Sequence, residues 1–480
     1  MSRKKILVLG ATGYIGGRLV PRLIQAGYPV RCLVRDPRKL GGRSWHGVEV
    51  VAGDVLERDS LDGALEGCHI AYYLVHSMGG VGGDFILRDR TGAENMAEAA
   101  AAASLERIIY LGGLGDRSTA LSPHLRSRNE VGRLLASGSV PVTEFRAAMI
   151  IGSGSASFDM MHALVNRLPV MVAPKWVETR SQPISVRDVL QYLLDCLSVP
   201  ESTGAMIDIG GTDILSYREM MLRFARLLHL RRWIVVVPVL TPRLSSLWMN
   251  LVTPISASIA RPLIEGLRSE MICENDLARR LFPFEPRGFE EAVVKALQRI
   301  QGFSVESTWS DATSVVRGDE SPLEGERQVL SDTQKVEASV PAERVYRVFA
   351  GIGGANGWYY ADFLWKVRGF VDKMVGGVGL RRGRRHPTAL GPGEALDFWR
   401  VESVVLGERV LLRAEMKVPG RAWLEFRVEP SDPDHSILTQ TALFYPRGVW
   451  GLLYWYGIYP IHVLVFRGMA RAIVQRAEQA

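Results

Sequence analysis

Short apolar runs and amphipathic stretches alternate along the first 150 residues of the chain. The apolar runs at 6–9, 29–34, 48–52, 69–75, 107–111 and 142–145 are typical of strands, and the amphipathic stretches at 14–26, 84–103 and 127–136 are typical of helices. Strands that alternate with helices of this length form parallel βαβ units, and strands with little polar alternation are covered on both faces. The pattern therefore predicts a doubly wound α/β domain.

From residue 150 to residue 302 the alternation continues with less regularity. The predicted elements are helices at 186–197 and 217–230, strands at 206–209 and 234–237, and short packed helices in the apolar, proline-broken stretch 238–267. Open α/β sheets bind their ligands beyond the carboxyl ends of the strands. We therefore expect 150–302 to form a small substrate lobe over that edge, within one domain of residues 1–302.

The pattern changes again after residue 302. Residues 303–330 are dominated by Ser, Thr, Asp, Glu and Gly, which is typical of a linker. Strand-like runs then follow one another at 394–405, 409–418, 422–429 and 436–444, and a long apolar segment at 449–476 predicts a helix. Strands in succession followed by one long helix favour an antiparallel sheet that packs on that helix. Residues 331–480 are therefore predicted to form a separate α+β domain.

Composition and charge exclude several classes of protein. The 480 residues are 47% hydrophobic and 23% charged, as in packed globular proteins rather than disordered chains. The net charge of +7 comes from scattered arginines without a dense basic face. No nucleic-acid partner is therefore predicted.

The cysteines and the N-terminus indicate whether a metal site is present and which cellular compartment is expected. The four cysteines, at 32, 68, 196 and 273, form no CxxC pair and no zinc spacing, so no metal site is predicted. Isolated cysteines in a long chain favour a reducing compartment, and the apolar run at 6–9 is too short for the core of a signal peptide. We expect a cytoplasmic protein, with membrane association through the C-terminal segment as the alternative.

A glycine-rich turn follows the first predicted strand and opens the first predicted helix. Gly10 permits the tight turn, Gly13 lets the backbone approach a pyrophosphate, and Gly16 lets the helix pack closely on the sheet. This strand–turn–helix context is what a dinucleotide site requires. The predicted cofactor-binding residues of the turn are Gly10, Ala11, Thr12, Gly13, Tyr14, Ile15 and Gly16.

The end of the second predicted strand bears on the choice of cofactor. Arg35 stands there, directly before Asp36. A guanidinium pairs with phosphate in a bidentate fork, so Arg35 favours the adenosine 2′-phosphate of NADP, whereas an acidic residue suits the ribose hydroxyls of NAD. NADP(H) is predicted as the preferred cofactor, and NAD(H) binding, or an Arg35 that is simply solvated, are the alternatives.

Four features together resemble a known family. The Gly10-x-x-Gly13-x-x-Gly16 spacing, Arg35 after the second strand, Gly53-Asp54-Val55 after the third strand, and the run 71–78 are similar to atypical short-chain dehydrogenases/reductases. More narrowly, residues 4–300 resemble the NmrA-like NAD(P)H-binding group, which is related to a Rossmann subunit of respiratory complex I. The resemblance implies a Rossmann fold. It also implies that Asp54 and Val55 flank the adenine, and that Leu74, Val75 and His76 line the inner half of the cofactor site.

The catalytic residues of ordinary short-chain dehydrogenases are a Ser, a Tyr and a Lys, of which Tyr moves the proton and Lys tunes it and holds the ribose. All three are missing here. Gly112 stands where the Ser belongs, and His124 and Arg128 occupy the Tyr and Lys positions. His124 titrates near neutral pH and is the candidate acid/base group, while Arg128 keeps the positive charge that could hold a ribose. The alternative is that His124 only begins a helix, after Ser122-Pro123.

Two functions from different classes follow from these motifs. The first is an NADPH-dependent reductase of an apolar carbonyl or quinone-like substrate, with a non-standard acid/base group. The second is a non-catalytic NADP(H)-binding sensor, regulator or assembly factor. Reduction of a carbonyl or quinone by bound NADPH distinguishes the two.

Residues 331–480 resemble the DUF2867 domain, a family of unknown function, through the runs 353–360 and 376–385. The resemblance leads us to expect a helix-grip (START-like) domain, whose sheet folds around a helix and encloses an apolar, lipid-like ligand. The many aromatic residues of this region would line that cavity, or they form an ordinary core. The charge-free segment 448–466 is expected to be a packed soluble helix, with a peripheral membrane contact and a membrane span as alternatives.

Overall fold

The chain folds into two units, Met1–Thr313 and Ser314–Ala480, in this computed structural model. The structure describes residues 3–40, 45–76, 85–115, 122–237, 264–301, 306–307, 329–380, 384, 386, 388 and 390–479, without the side chains of 38, 39 and 301. The short helices expected at 238–267 therefore lie almost wholly outside the described residues, as does most of the expected linker at 303–330.

The strands of the first unit are β1 (Ile6–Leu9), β2 (Val30–Val34), β3 (Glu49–Ala52), β4 (Ile70–Tyr73), β5 (Arg107–Gly113), β6 (Val142–Ala147), β7 (Ile150–Ile151), β8 (Val170–Pro174), β9 (Arg180–Ser181), β10 (Ile184–Ser185), β11 (Met206–Ile209), β12 (Leu215–Ser216) and β13 (Trp233–Val237). Seven of them form one parallel sheet in the order β11-β6-β5-β4-β1-β2-β3. The strand order reverses between β4 and β2, at β1, which is where open α/β sheets bind ligands. This sheet confirms the predicted doubly wound α/β fold.

The helices of the first unit are α1 (Gly16–Gln25), α2 (Arg58–Leu65), α3 (Phe85–Ala102), α4 (Pro123–Ala136), α5 (Ala156–Arg167), α6 (Val186–Asp195), α7 (Tyr217–Leu227), α8 (Leu277–Leu281) and α9 (Phe289–Gln301). They cover both faces of the sheet, as strand β1 shows. Ile6 and Val8 pack in one apolar cluster with α1 and α6, and Leu7 and Leu9 pack in another with α2 and α3. Because all four side chains are fully buried, the strand reads as a continuous apolar run.

One predicted element of the lobe lies elsewhere. Strand β11, expected within the lobe at 206–209, pairs in parallel with β6 and extends the main sheet. Its Ile207 and Ile209 are fully buried in the same cluster as Phe145 of β6, so both strands share one core. The predicted strand at 234–237 is β13, which pairs with β8 in a separate two-stranded sheet of the lobe.

The second unit contains β14 (Leu330–Ala338), β15 (Ala395–Leu396), β16 (Trp399–Val405), β17 (Arg409–Ala414), β18 (Gly420–Asp432) and β19 (His435–Pro446), with helices α10 (Ala342–Ala350), α11 (Asp362–Met374) and α12 (Gly448–Gln479). The strands form one antiparallel sheet in the order β14-β19-β18-β17-β16-β15. A long C-terminal helix packs on β14 and β19. The unit has the α+β character that the sequence predicted.

Helix α12 packs on its own sheet along one face. Met469, Ala470, Ile473 and Ala477 are fully buried, and the ring of Trp455 stacks on Phe444 of β19 at 5.5 Å between centroids. By length and composition alone, α12 is the single helix within the described part of the chain that could cross a membrane. Only 22% of its most apolar stretch is buried, so much of its apolar surface faces outward.

Candidate functional site

The glycine turn between β1 and α1 has no room for side chains. Gly10 has φ +86°, and a Cβ there would lie 2.6 Å from the carbonyl oxygen of Leu74. A Cβ on Gly16 would lie 2.3 Å from the carbonyl oxygen of Gly10. The turn therefore presses its own backbone against the end of β4 and against the first turn of α1, which is the cradle that a dinucleotide pyrophosphate requires.

The first turn of α1 has no side-chain cap, a property that it shares with α2 and α8. Ile15 precedes it and provides no side-chain cap, whereas serines cap α4, α5, α6 and α7. Helix N-termini bind anions through their backbone N–H groups and the helix dipole. The uncapped start of α1 behind the glycine turn therefore fits a phosphate group.

Tyr14, within the predicted turn, packs into the unit. Its ring lies 4.6 Å from the guanidinium carbon of Arg18, and its hydroxyl is buried without a hydrogen-bond partner among the described residues. Arg18 donates to the hydroxyl and carbonyl oxygens of Ser307 at 2.9 and 3.0 Å, and the Ser307 hydroxyl donates to the Tyr14 carbonyl at 2.8 Å. Residues 306–307 of the predicted linker are thus fixed on α1.

The other predicted cofactor residues lie at the same edge of the sheet. Arg35 is exposed directly after β2, and Gly53 after β3 donates to the carbonyl of Val34 at 3.0 Å. Asp54 accepts from the backbone N–H of Leu56 at 3.1 Å, and Val55 is buried against Gly92 of α3. The ends of β1, β2 and β3 therefore bring the glycine turn, Arg35 and Asp54 to one edge.

Leu74, Val75 and His76 continue from the end of β4 along this edge. The backbone N–H of Leu74 donates to the carbonyl of Leu9 at 3.0 Å, which holds the segment beside the glycine turn. His76 is only two residues from the carbonyl that contacts Gly10. The predicted cofactor turn and His76 are thus neighbours in the fold.

Two histidines and a carboxylate form a hydrogen-bonded chain at this edge. Nδ1 of His76 lies 3.0 Å from Oδ2 of Asp89 on α3, and Nε2 of His76 lies 3.2 Å from Nδ1 of His124 at the start of α4. The same Asp89 oxygen accepts from the Ser127 hydroxyl at 3.0 Å. His76 and His124, predicted separately for cofactor binding and for catalysis, are therefore brought together.

Burial determines the protonation of both histidines. It lowers the pKa of His76, although the hydrogen bond from His76 to Asp89 opposes this change. It also holds the pKa of His124 well below the usual 6.5, and the nearby His76 and Arg128 act in the same direction. Both imidazoles are therefore neutral at pH 7.

Contacts within the protein fix the guanidinium of Arg128. Its guanidinium donates to the carbonyl of Leu111 and lies 5.2 Å from the centre of the Tyr110 ring, while the Tyr110 hydroxyl donates to the Arg128 carbonyl at 3.0 Å. These contacts join α4 to the end of β5. The predicted role in holding a ribose stays a prediction, and the structure gives Arg128 a structural role in addition.

At Gly112, which stands where the family's serine belongs, the side chain of Glu144 lies close to the backbone. A Cβ on Gly112 would lie 2.9 Å from Oε1 of the buried Glu144, and a Cβ on Gly132 of α4 would lie 2.7 Å from the same carboxylate. Glu144 thus occupies the space between β5 and α4. A serine at position 112 would displace it.

Sequence reasoning missed Asp89. The residue lies on the inward face of α3, in the series Asp89, Ala93, Met96 and Ala100, all of them buried. An acid at a position where helical spacing requires an apolar residue was the available signal, since buried carboxylates need a partner. Among the described residues there is also no group of three or more His, Cys, Asp or Glu that could hold a metal ion.

Comparisons with known proteins identify both units. Residues 10–139 match a family described as NAD(P)H-binding, and residues 326–469 match a family described as a protein of unknown function, DUF2867. The N-terminal unit therefore contains an NAD(P)H-binding Rossmann domain, similar to those of atypical short-chain dehydrogenases/reductases and epimerases. The C-terminal unit carries a DUF2867 domain.

Curated relatives match the N-terminal unit at low identity. The chain is 25% identical to the photosystem II assembly factor Ycf39 of Cyanophora paradoxa over 43% of its own length and 63% of that protein. It is 29% identical to the (4-alkanoyl-5-oxo-2,5-dihydrofuran-3-yl)methyl phosphate reductase of Streptomyces griseus, over 46% and 73% respectively. It is 30% identical to the ceramide reductase of Caulobacter vibrioides, over 35% and 54%. The chain thus spans 63% of the length of the assembly factor that it matches.

Solved structures share the fold of the N-terminal unit. An epimerase of Methanothermobacter thermautotrophicus is similar with a TM-score of 0.50 and 16% identity, over 63% of this chain and 93% of that one. The enzyme WbmG of Bordetella bronchiseptica, solved with NAD and UDP, has a TM-score of 0.50 and 14% identity, over 64% and 97%. At these identities the likeness concerns the fold.

Proposed function

We propose that the N-terminal unit is an NADPH-dependent reductase of an apolar carbonyl or quinone-like substrate, in which Asp89, His76 and His124 form the proton relay. The observation that carries the proposal is the 3.2 Å contact between the two imidazoles, anchored on Asp89 and adjacent to the glycine turn. The residues that would hold the cofactor are the glycine turn, Arg35 and Asp54. When bound, NADPH supplies a hydride, and the protein has to supply the proton.

The hydrogen bonds assign the tautomers of the relay. The carboxylate of Asp89 only accepts, so Nδ1 of His76 carries a proton and its Nε2 is the acceptor. Nδ1 of His124 must then donate to Nε2 of His76. The free electron pair at the end of the chain is on Nε2 of His124, which is the atom that can accept a proton and later donate it.

This arrangement can deliver one proton to a substrate oxygen. A proton taken up at Nε2 of His124 makes the ring cationic, and the negative charge of Asp89 stabilises that cation through His76. In the reducing direction the Nε2–H bond breaks and an O–H bond forms on the substrate. Asp89 and His76 act as positioning residues, because they orient His124 and balance its charge.

A small apolar cluster includes the residue that follows His124 in the chain. Leu114 at the end of β5, Leu125 next to His124, and Met271 from the lobe form one buried cluster. Two relatives are named as reductases, one of an alkanoyl-substituted compound and one of ceramide. These features support an apolar compound as the class of substrate.

Replacing Asp89 by Asn tests the relay through its pH dependence. Reduction needs a protonated His124, so in the wild type the rate should fall as pH rises above an apparent pKa below 6.5. The Asp89 charge raises the pKa of both histidines, so Asp89→Asn should move the profile to lower pH and reduce the rate at pH 7 about tenfold. NADPH consumption with a panel of quinones and aldehydes measures this.

Glu94→Gln is the matched control for that experiment, since Glu94 is an exposed carboxylate on the same helix. The pH dependence of the reduction rate in Glu94→Gln should match that of the wild type. A wild-type rate that rises with pH through this range, or an Asp89→Asn profile identical to that of Glu94→Gln, would contradict the relay.

Cofactor preference is tested by Arg35→Asp. We expect the wild type to bind NADPH more tightly than NADH, because the exposed Arg35 beside the adenosine end pairs with a 2′-phosphate. Reversing this charge should abolish or invert the preference, with an effect of about tenfold or more on NADPH affinity. Fluorescence titration with both nucleotides is the measurement. Equal affinities in the wild type, unchanged in the variant, would rule out this assignment.

A non-catalytic role is the second candidate, and the similarity to the assembly factor of Cyanophora paradoxa favours it. The glycine at position 112 and the engagement of Arg128 with Leu111 are compatible with a domain that binds NADP(H) without turnover. In that case NADPH affinity persists while no quinone or carbonyl is reduced at any pH.

For the C-terminal unit we propose a helix-grip domain with an apolar ligand. The six-stranded antiparallel sheet and α12 support it, as does an aromatic cluster in which the rings of Trp358 and Trp365 stack at 4.8 Å. The indole nitrogens of Trp365 and Trp399 and the side-chain amide of Gln440 are buried and, within the described residues, have no hydrogen-bond partner. A ligand with a polar group among apolar surroundings would satisfy them.

A further inference from the structure

The outward face of α11 is apolar, although it faces solvent. Phe363, Val367, Phe370 and Met374 follow one another at helical spacing and are 66%, 55%, 56% and 68% exposed. The opposite face, with Trp365, is buried against the rest of the unit. A helix whose inner face is already packed has no need of an apolar outer face for folding, so these side chains indicate a surface that another apolar phase covers.

Basic residues accompany this apolar face. At helical spacing Lys366 and Lys373 flank one side of the stripe. Between residues 362 and 385 the sequence contains seven Lys or Arg and two Asp or Glu. Both acids have internal partners: Asp362 accepts from the N–H of Trp358 at 2.7 Å, and Asp372 accepts from Gly379 at 2.8 Å.

Helix α12 repeats the same arrangement. Val449, Leu453, Tyr456 and Leu464 lie on one outward face and are 69%, 59%, 63% and 61% exposed. Further along the helix this face becomes basic, at the exposed Arg467 and Arg471. The inward face is packed on β14 and β19, so the helix cannot cross a bilayer while it keeps these contacts.

The two helices touch each other. The ring of Trp365 on α11 lies 6.0 Å from the ring of Phe466 on α12, in an edge-on contact. Two adjoining helices thus each expose an apolar stripe accompanied by lysine and arginine. That combination is the signature of helices that lie in the interfacial region of a membrane, with apolar side chains among acyl chains and basic ones at the headgroups.

We infer that the C-terminal unit binds peripherally to a membrane surface that carries anionic lipids, through the outward faces of α11 and of the first half of α12. The charge selects this occupant: an apolar patch for a second copy of the chain would bring the same lysines and arginines together, whereas anionic headgroups neutralise them. A peripheral membrane contact was an alternative expected for 448–466, and α11 extends this contact to a second helix.

Flotation of the full chain with vesicles tests this inference. Vesicles of phosphatidylcholine alone and vesicles that also contain phosphatidylglycerol are compared at low and high salt. The wild type should float with the anionic vesicles, and high salt should release part of it. Phe363→Ser combined with Phe370→Ser should reduce the bound fraction about tenfold or more, since two side chains no longer enter the interface. Lys366→Gln should weaken binding about fivefold.

Leu406→Ser is the matched control, because Leu406 is 84% exposed in the turn after β16, outside both helices. It should float like the wild type, and all variants should keep the wild-type melting temperature since the altered side chains are exposed. Equal flotation of the double variant and the control would overturn the inference. So would equal wild-type binding to neutral and anionic vesicles, or a lipid-free dimer that the double variant converts to monomers without any change in flotation.

Discussion

Substitution of His124 by Ala should lower NADPH-dependent reduction by about 10²–10⁴-fold, the range that follows loss of a positioned acid/base group. The reason is geometric: Nε2 of His124 is the end of the hydrogen-bonded chain from Asp89 through His76, and alanine leaves that chain without a donor to the substrate. NADPH affinity should stay within about twofold of wild type, since the group acts on the proton and not on the nucleotide.

Steady-state turnover and NADPH fluorescence titration, measured on the same preparations, separate these two effects. His46→Ala is the control, an exposed histidine of the same unit that should change neither quantity. Added imidazole should restore part of the lost turnover in His124→Ala if the ring acts as an acid. An unchanged turnover in His124→Ala would return the residue to the role of a helix-start residue.

Gly16→Ala should abolish NADPH binding or weaken it by about two orders of magnitude, and it should also destabilise the unit by about 1–3 kcal/mol. A Cβ at position 16 would lie 2.3 Å from the carbonyl oxygen of Gly10, so the turn and the start of α1 must move apart. Such a shift changes the cradle in which the backbone and the first turn of α1 meet a pyrophosphate.

The matched control is Gly63→Ala in α2, where a Cβ meets nothing within 4 Å. This exchange should raise the free energy of unfolding by about 0.5–1 kcal/mol, because alanine is the better helix former, and it should leave nucleotide affinity unchanged. Titration well below both melting temperatures separates binding from folding. Wild-type NADPH affinity in Gly16→Ala would mean that the nucleotide is not bound at this turn.

The doubly wound sheet could be predicted from the sequence because its strands are buried on both faces. The four side chains of β1 are all fully buried, so the strand stands out as an apolar run followed by glycine. The same reasoning failed for β14, whose side chains alternate between buried ones such as Asp332 and Ala338 and exposed ones. A polar, half-exposed strand next to a polar segment gives little signal to a search for apolar runs.

Helix α11 was missed for a related reason. Its outward face is apolar and most of its charged residues lie to the sides, so the segment lacks the polar outward face that marks an ordinary surface helix. Strand β11 was predicted but assigned to the lobe, because sequence order does not reveal which sheet a strand joins. Only its pairing with β6 places it in the main sheet.

The candidate site could be predicted as separate parts and not as an assembly. The glycine turn can be recognised in the sequence because some of its positions accept only glycine, above all Gly10 with its positive φ. His76 and His124 are 48 residues apart, and nothing in the sequence indicates that β4 and α4 bring their rings into contact. Asp89 completes the hydrogen-bonded chain from a third element, α3. NADP preference, a cytoplasmic location and the absence of a nucleic-acid partner stay predictions of the sequence.

Heteronuclear NMR of protein labelled at its histidine nitrogens tests the relay most directly, because it needs no substrate. His124→Ala and His76→Ala provide the assignments. The relay requires that His124 is neutral at pH 7 with its proton on Nδ1 and a bare Nε2, that its pKa lies below 6.5, and that Asp89→Asn lowers this pKa further. A His124 that titrates at or above 6.5, or that carries its neutral-state proton on Nε2, would contradict it.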